Sequence, residues 1–447
     1  MTAGDEAAVS STRPRAAVLL TGSELVTGVI ADANGPWLAR ELTARGFEVA
    51  HLQLVGDRPG DLEAALWYAA TAGSALIVTS GGLGPTADDL TGEVVAGFAG
   101  VDLVLDEAMR ERIAGIVAAF PRAGRDPAAL AAAVRKQALV PRGAVALDPA
   151  GTAPGLVVPT DAGPLVVVLP GPPRELRALW PAALETAPMR GLLATVPPAA
   201  VRLLRYYGLS EAEIAATLRA LEESRDIGGV EVTTCLRRSE LEVDLRPRPG
   251  AEDAATWLAG QLAERHADHL VSADGTSTDE LLAGALLTAG LTIGTAESCT
   301  GGLLAGRLTD RPGSSLYVAG GVVSYSNEAK VRLLGVPADL IEAHGAVSPE
   351  VARAMADGAR VTLEADVGVG VTGVAGPNGG TPAKPVGFVC LCVTTSSGIV
   401  LARDLRLPGN RADVRDRSVD AGMHLLLRAA RSVLASSPPS PPSPAAS

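Results

Sequence analysis

Residues 16–22, AAVLLTG, and residues 75–82, ALIVTSGG, are short apolar runs that each end in glycine, and the path between them decides the fold. That path reads as an amphipathic helical run (GPWLARELTARG, 35–46), a β-rich run (FEVAHLQLVG, 47–56) and a second helical run (DLEAALWYAATAG, 61–73). LTGEVVAGFAG (90–100) continues the alternation. Apolar strands separated by helical segments make βαβ units, hence a parallel sheet covered on both faces. After an Ala-rich helical stretch, GPLVVVLPGPP (163–173) and RELRALW (174–180) supply one more strand and helix. The first α/β domain is expected over 15–180, behind a flexible stretch at 1–14.

Residues 181–275 change character. EVTTCLRRSELEVDLRPRPG (231–250) reads as two strands of a hairpin, flanked by helical runs at 210–224 and 251–265, a small α+β, KH-like module. A polar break, SADGTSTDE (272–280), opens a second α/β domain over 276–435. Its helical runs are 280–290 and 303–310, and its strands lie in 291–296, 316–326, 366–373, 386–395 and 399–407. Val351, Ala354, Met355, Gly358, Ala359, Thr362 and Leu363 share one face of a helix with period 3.6, and Val419, Met423, Leu426, Ala430 and Val433 stack on a last helix. The Pro/Ser tail at 436–447 cannot bury apolar surface and is expected to be disordered. The fold class is α/β, two α/β sandwich domains joined by a small α+β module.

Composition narrows the function. A chain of 447 residues accommodates two to four domains at ~100–200 residues each. A formal net charge of −12 with no basic cluster argues against nucleic-acid binding. The four cysteines are too scattered for a disulfide framework and fit a reducing cytoplasm. The first residues carry acids and no apolar core, so no signal peptide is expected, and no apolar run approaches the ~20 residues of a membrane span.

TAESCTGG (295–302) sits where a strand turns into a helix, so Glu297, Ser298, Cys299 and Thr300 lie at a helix start, where a developing anion is favoured. Alone, the stretch reads first as a capping turn with Ser298 or Thr300 as the cap. GGVVSYSNEAK (320–330) adds Ser324, Tyr325 and Lys330. A serine nucleophile needs a base, and a lysine serves if burial lowers its pKa from about 10.4; a solvated surface charge is the other reading of Lys330.

The stretches at 296–315, 320–337, 345–360 and 371–387 together resemble the C-terminal domain of the CinA family, the nicotinamide-nucleotide amidohydrolases. The resemblance implies hydrolysis of nicotinamide mononucleotide (NMN) to nicotinate mononucleotide and ammonia by a serine nucleophile, a lysine base and a nearby tyrosine. These fall on Ser298, Lys330 and Tyr325, with no cofactor required. Helix-start N–H groups around Thr300, Gly301 and Gly302 are expected to hold the oxyanion. Cys299 reads as a packing residue. The Gly/Pro-rich loop at 372–387 reads as a ribose-phosphate cradle, with Thr372 and Gly373 near the reacting group and Arg411 and Arg415 as phosphate partners.

TSGGLGPTADDLT (79–91) combines a strand end, a glycine turn and paired aspartates. Such turns at the carboxyl edge of α/β sheets bind phosphate, and paired carboxylates suit a divalent cation bridging a diphosphate; one of them could instead cap the next helix. With 19–47 and 55–62, this stretch resembles the CinA N-terminal domain, itself similar to molybdopterin-binding domains of the MoaB/MogA type. The resemblance implies a metal-dependent ADP-ribose pyrophosphatase using Mg²⁺ or Co²⁺. Glu24, Asp88 and Asp89 are its metal candidates, and Gly81, Gly82, Gly84 and Thr86 its phosphate-binding candidates. Asp148, Pro172 and GLSEAE (208–213) depart from the family pattern, and Asp148 is expected to add a carboxylate beside the diphosphate and weaken the site. His266 and His269 read as structural. The expected partners are NMN and ADP-ribose in a cytoplasmic homodimer, with no nucleic acid or membrane. The competing reading is a non-catalytic nucleotide- or molybdopterin-binding module acting in competence or DNA-damage responses.

Overall fold

The computed structural model describes residues 13–119, 126–197 and 201–436. Residues 1–12 and 437–447, which hold most of the expected flexible start and Pro/Ser tail, lie outside the described residues. The chain divides into two compact units, the first running to Val201 and also taking up 247–252, the second comprising the rest.

In the first unit, β1 (Arg15–Thr21), β2 (Glu48–Val55), β3 (Ser74–Ser80), β6 (Val145–Leu147), β7 (Gly155–Val158) and β8 (Leu165–Leu169) form a six-stranded sheet of order β2-β1-β3-β8-β7-β6; β4 (Leu103–Leu105) pairs separately with β5 (Leu139–Pro141). β1, β2, β3 and β8 run parallel, and β7 and β6 are antiparallel additions. Successive side chains of a strand point to opposite faces. Ala16, Val18 and Leu20 therefore enter one core layer and Ala17 and Leu19 the other. The helices are α1 (Ser23–Val26), α2 (Gly35–Ala44), α3 (Pro59–Thr71), α4 (Thr91–Phe98), α5 (Glu107–Ala119), α6 (Pro127–Gln137), α7 (Pro173–Leu184) and α8 (Ala187–Leu193). The unit continues beyond residue 180, the end expected from sequence, because Trp180, Ala183 and Met189 are buried in its core.

The second unit opens with a four-stranded sheet of order β10-β11-β9-β12, built from β9 (Arg202–Tyr207), β10 (Val230–Arg237), β11 (Glu240–Pro247) and β12 (Leu270–Ser272), with α9 (Glu211–Glu222) and α10 (Glu252–Arg265). Only the β10–β11 hairpin was legible in the sequence; β9 and β12 add to its β11 edge in space from distant positions. Next come α11 (Thr278–Ala289), β13 (Ile293–Glu297), α12 (Leu303–Thr309), β14 (Val318–Val323), α13 (Asn327–Leu334), α14 (Ala338–His344), α15 (Pro349–Thr362), β15 (Val367–Gly373), β16 (Phe388–Thr395), β17 (Val400–Arg406) and α16 (Arg411–Ser436). Their five-stranded sheet has the order β14-β13-β15-β16-β17, parallel from β14 to β15 and antiparallel beyond.

VGVGVTG in β15 alternates for a packing reason. Val367, Val369 and Val371 join the core on the α16 face. A Cβ on Gly368 or Gly370 would lie 2.0 Å from the Ala356 carbonyl oxygen or 2.1 Å from that of Ala352, so glycine lets α15 settle directly on the sheet. The buried stripe of α15 includes Ala352 and Ala356, while Thr362, expected on that face, is exposed. α16 is buried on nearly every side from Ser418 to Ala430, since it packs on the sheet and on α11 at once. Among the described residues no helix is long and apolar enough to cross a membrane.

Candidate active site

The parallel strands β14, β13 and β15 end abreast, with Glu297 paired to both Val323 and Val371. The next residues extend that register: Ser298 N–H donates to the Val371 carbonyl (2.9 Å) and Ser324 N–H to the Glu297 carbonyl (2.8 Å). Ser298, Ser324 and Thr372 thus stand side by side at the carboxyl edge of the sheet, where α/β folds present ligand-binding groups. The turn after β13 uses the left-handed conformation at Gly301 (φ +62°) and Gly302 (φ +96°), which glycine adopts without strain.

Lys330 comes to the same point from α13. The Ser326 hydroxyl accepts from Ala329 N–H and fixes the helix start. One turn later Lys330 Nζ lies 3.1 Å from Ser298 Oγ, donates to the Ser324 carbonyl (2.8 Å), and lies 3.4 Å from the Tyr325 carbonyl. Lys330 is 1% exposed. Burial pushes its ammonium below the ordinary lysine range, against a smaller opposing influence of Cys299. An amine so held is poised to accept a proton from the serine hydroxyl. Cys299 is 5% exposed and packed in the apolar core, and burial pushes its thiol up to about 11, opposite to what a thiolate nucleophile requires.

The other expected site residues are placed by contacts of their own. Tyr325 is 60% exposed and its hydroxyl accepts a hydrogen bond from Arg411 Nη2 (2.9 Å), while Lys330 meets Ser298 directly. Two of the helix-start N–H groups are already engaged: Gly301 N–H donates to the Ser298 carbonyl, and Gly302 N–H to Glu297 Oε2. Arg415 is a clamp on the turn itself, donating to the carbonyls of Cys299 (3.2 Å) and Thr300 (2.9 Å). Arg411 also donates to the Gly376 carbonyl (2.8 Å) and so ties the Gly/Pro-rich loop to Tyr325. Thr372 is buried and its hydroxyl donates to the Ala346 carbonyl (2.7 Å). A Cβ on Gly373 would lie 2.7 Å from Val389 Cγ2, so that glycine serves strand packing.

Two roles were not foreseen from sequence. Glu297, 1% exposed, accepts from the N–H groups of Gly302, Leu304 and Ala305 at 3.0, 3.0 and 2.8 Å, and so caps α12 with a buried carboxylate. The hydroxyls of Thr300 and Ser324, residues of the same two strand ends, are buried and have no hydrogen-bond partner among the described residues. Buried polar atoms are rarely left unpaired, and orphans at a strand edge mark a place for a ligand or water.

In the first unit, Gly81 and Gly82 make a tight turn after β3. A Cβ on Gly81 would lie 2.4 Å from the Thr21 carbonyl oxygen, and one on Gly82 would lie 2.1 Å from Thr91 Oγ1. Gly81 N–H donates to the Leu169 carbonyl. Asp89 closes the following loop, its Oδ2 accepting from Thr86 N–H (2.8 Å) and Thr86 Oγ1 (2.5 Å) and crowding Gly84. Asp88 is exposed, and the nearby Thr86 hydroxyl holds its carboxyl below the usual carboxylate range. The Glu24 carboxylate folds back over Gly22. Among the described residues no three His, Cys, Asp or Glu side chains gather as a metal site, so Glu24, Asp88 and Asp89 do not form a cation cage. The Asp148 carboxylate pairs with Arg112 instead of standing free. Asn34, unremarked in the sequence, is buried and donates to Ser80 Oγ (3.0 Å) and the Gly171 carbonyl (2.7 Å), with its own Oδ1 unpartnered. His266 and His269 have separate partners, the Thr217 hydroxyl and the Tyr207 carbonyl.

The family model for the CinA C-terminal domain matches residues 275–430, and that for a probable molybdopterin-binding domain matches 17–188. A CinA-like protein of Mycobacterium tuberculosis is 53% identical over 424 residues, covering 93% of this chain and 97% of its own. One from Mycolicibacterium gilvum is 54% identical over 420 residues, covering 93% and 98%. Among solved structures, a competence/damage-inducible protein of Agrobacterium tumefaciens is 41% identical and covers 34% of this chain and 96% of its own, with a TM-score of 0.33. A CinA protein of Thermoplasma acidophilum is 32% identical and covers 41% and 99%, with a TM-score of 0.34.

Proposed function

The chain belongs to the CinA family, and from that membership together with the Ser298–Lys330 pair we propose that its second unit hydrolyses the carboxamide of NMN, giving nicotinate mononucleotide and ammonia in pyridine-nucleotide salvage. The observation that carries the reading is the 3.1 Å contact between the Ser298 hydroxyl and a buried lysine whose ammonium is disfavoured. Neutral Lys330 takes the Ser298 proton as Oγ attacks the carboxamide carbon. The same proton passes to the amide nitrogen, the C–N bond breaks, and ammonia leaves a nicotinoyl ester on Ser298. Water then attacks the ester with Lys330 again as base, releasing the carboxylate and restoring the serine. The unpartnered hydroxyls of Thr300 and Ser324 are the groups free to bind the carboxamide, since the turn's own N–H groups at Gly301 and Gly302 are committed. Arg411 and Tyr325 stand at the exposed mouth, where the ribose phosphate would lie.

In the first unit the glycine turn at the carboxyl edge of the sheet is the place for a nucleotide diphosphate. Its three carboxylates do not fit a cation held by the protein, so no metal-dependent step is assigned. Assembly as a cytoplasmic homodimer belongs to the same proposal.

The test is ammonia release from NMN without added metal by wild type, Ser298→Ala and Cys299→Ala. Loss in Ser298→Ala alone supports the reading. Release at the blank level by all three overturns it in favour of a non-catalytic binding module. Incubation with ADP-ribose and Co²⁺ or Mg²⁺ separately tests the first unit, where binding without AMP formation is expected.

A further inference from the structure

Far along α16 from Arg411 and Arg415, the second unit holds a cavity of about 630 Å³ between that helix, the end of β9, β12 and β17. Its lining includes Arg403 of β17 and Arg428 and Arg431 of α16. None of the three is in an ion pair among the described residues, and Arg431 spends one N–H on the Val271 carbonyl (3.2 Å). One carboxylate, Asp268, shares the lining with these three guanidiniums. In a chain of net charge −12, so many uncompensated cations around one hollow call for an anion. The other walls are apolar and aromatic. Leu405 and Leu425 contribute aliphatic surface, and the Tyr207 and His424 rings stack at 3.7 Å with planes 20° apart. His424, 6% exposed, is anchored from behind by Glu240 Oε1, 3.2 Å from its Nε2. The volume lies within the range of small-molecule sites.

We propose that this cavity is a second nucleotide site, in which a phosphomonoester is held by Arg403, Arg428 and Arg431 and its base lies against the Leu405, Leu425 and Tyr207–His424 walls. Guanidiniums suit this task because they meet phosphate oxygens with paired, charge-assisted hydrogen bonds. Along the helix axis, Arg428 lies about 25 Å from Arg411 at 1.5 Å per residue. A ligand here therefore occupies neither the Ser298–Lys330 site nor the first unit.

The experiment adds AMP to the full chain carrying Ser298→Ala, so that its outcome does not depend on amidohydrolysis. Hydrogen exchange and titration calorimetry are read with and without a further Arg403→Ser/Arg428→Ser pair. Both arginines are exposed, so the fold should survive their loss. The expected result is AMP-dependent protection of 268–272 and 400–406, lost in the double variant, with one binding event weakened about tenfold or more. Inorganic phosphate should compete for that event. Absence of protection in these segments at saturating AMP, or calorimetry unchanged by the two substitutions, overturns the proposal.

Discussion

At the scale of single residues, adjacent side chains divide the roles. Ser298 and Cys299 are neighbours, yet the strand register sends the hydroxyl toward Lys330 and the thiol into the apolar core. The intrinsically better nucleophile is thereby silenced by burial. In the proposed hydrolysis Lys330 sets the pH behaviour. A lysine acts as base only when neutral, and burial moves its titration below the usual value of about 10.4. Because the lowered group loses its proton as pH rises, kcat/KM for ammonia release should climb with pH and level off below the ordinary lysine range. Lys330→Arg, which stays protonated, should be slower by about 10²-fold or more at every pH, and its profile should lack that limb. Initial rates between pH 6 and 10 check both statements; an unshifted limb in the arginine variant would remove Lys330 from the base role.

At the scale of elements, the turn between β13 and α12 is held from two sides. Glu297 holds it from below by accepting three N–H groups of the helix start, and Arg415 from above by donating to two carbonyls. Glu297→Ala leaves those buried donors unpaired and should cost about 2 kcal/mol or more of stability, read by denaturant unfolding. Arg415→Lys keeps the charge but loses the fork, so it should lower kcat for NMN while leaving KM nearly unchanged. Arg411→Ala, at the exposed mouth, should mainly raise KM. A KM effect in Arg415→Lys would return that residue to the role of phosphate ligand. These elements also mark how far the sequence could be read. The alternation in 16–82 and the valine–glycine repeat of β15 are local patterns, so the strands and their layering were legible. Ser298, Tyr325 and Lys330 were legible through their resemblance to a known motif. The roles of Arg415 and Arg411 were not, because their partners at 299–300, 325 and 376 are brought to α16 only by the completed sheet. Glu297 was hidden differently, since an acid beside a helix start reads as exposed until the strand before it is known to be central.

At the scale of the whole chain, the polar break at 272–280 marks a boundary in sequence that a buried network bridges in space. Glu240, at the start of β11 in the small sheet, is nearly inaccessible. Its carboxylate accepts from Thr278 Oγ1 (2.5 Å) at the start of α11 and from Arg205 (3.2 Å), and lies 3.2 Å from His424 of α16. Beside it, the Ser239 hydroxyl donates to Asp420, which also pairs with Arg307 of α12. The α+β module is thus joined to the domain that carries Ser298 by hydrogen bonds to carboxylates shielded from water. Burial opposes the charge on Glu240, but His424, Thr278 and Arg205 outweigh it and hold the carboxyl below the usual range. A group whose folded pKa is depressed contributes stability above its unfolded value, about 4.3, and loses it as pH falls through the folded value. Glu240→Ala should therefore cost about 2 kcal/mol at pH 7, because it leaves the buried Thr278 hydroxyl without its acceptor and removes one of the two carboxylates paired with Arg205, Glu242 being the other. That cost should shrink as pH falls below the unfolded value of about 4.3 and on through the lower folded value, where the wild-type carboxylate takes up its proton. Calorimetric unfolding of the full chain is the measurement, with the transition of the second unit moving and that of the first unit staying in place. A pH-independent difference would mean that Glu240 acts by packing alone, and that the charges joining module and domain contribute nothing to holding them together.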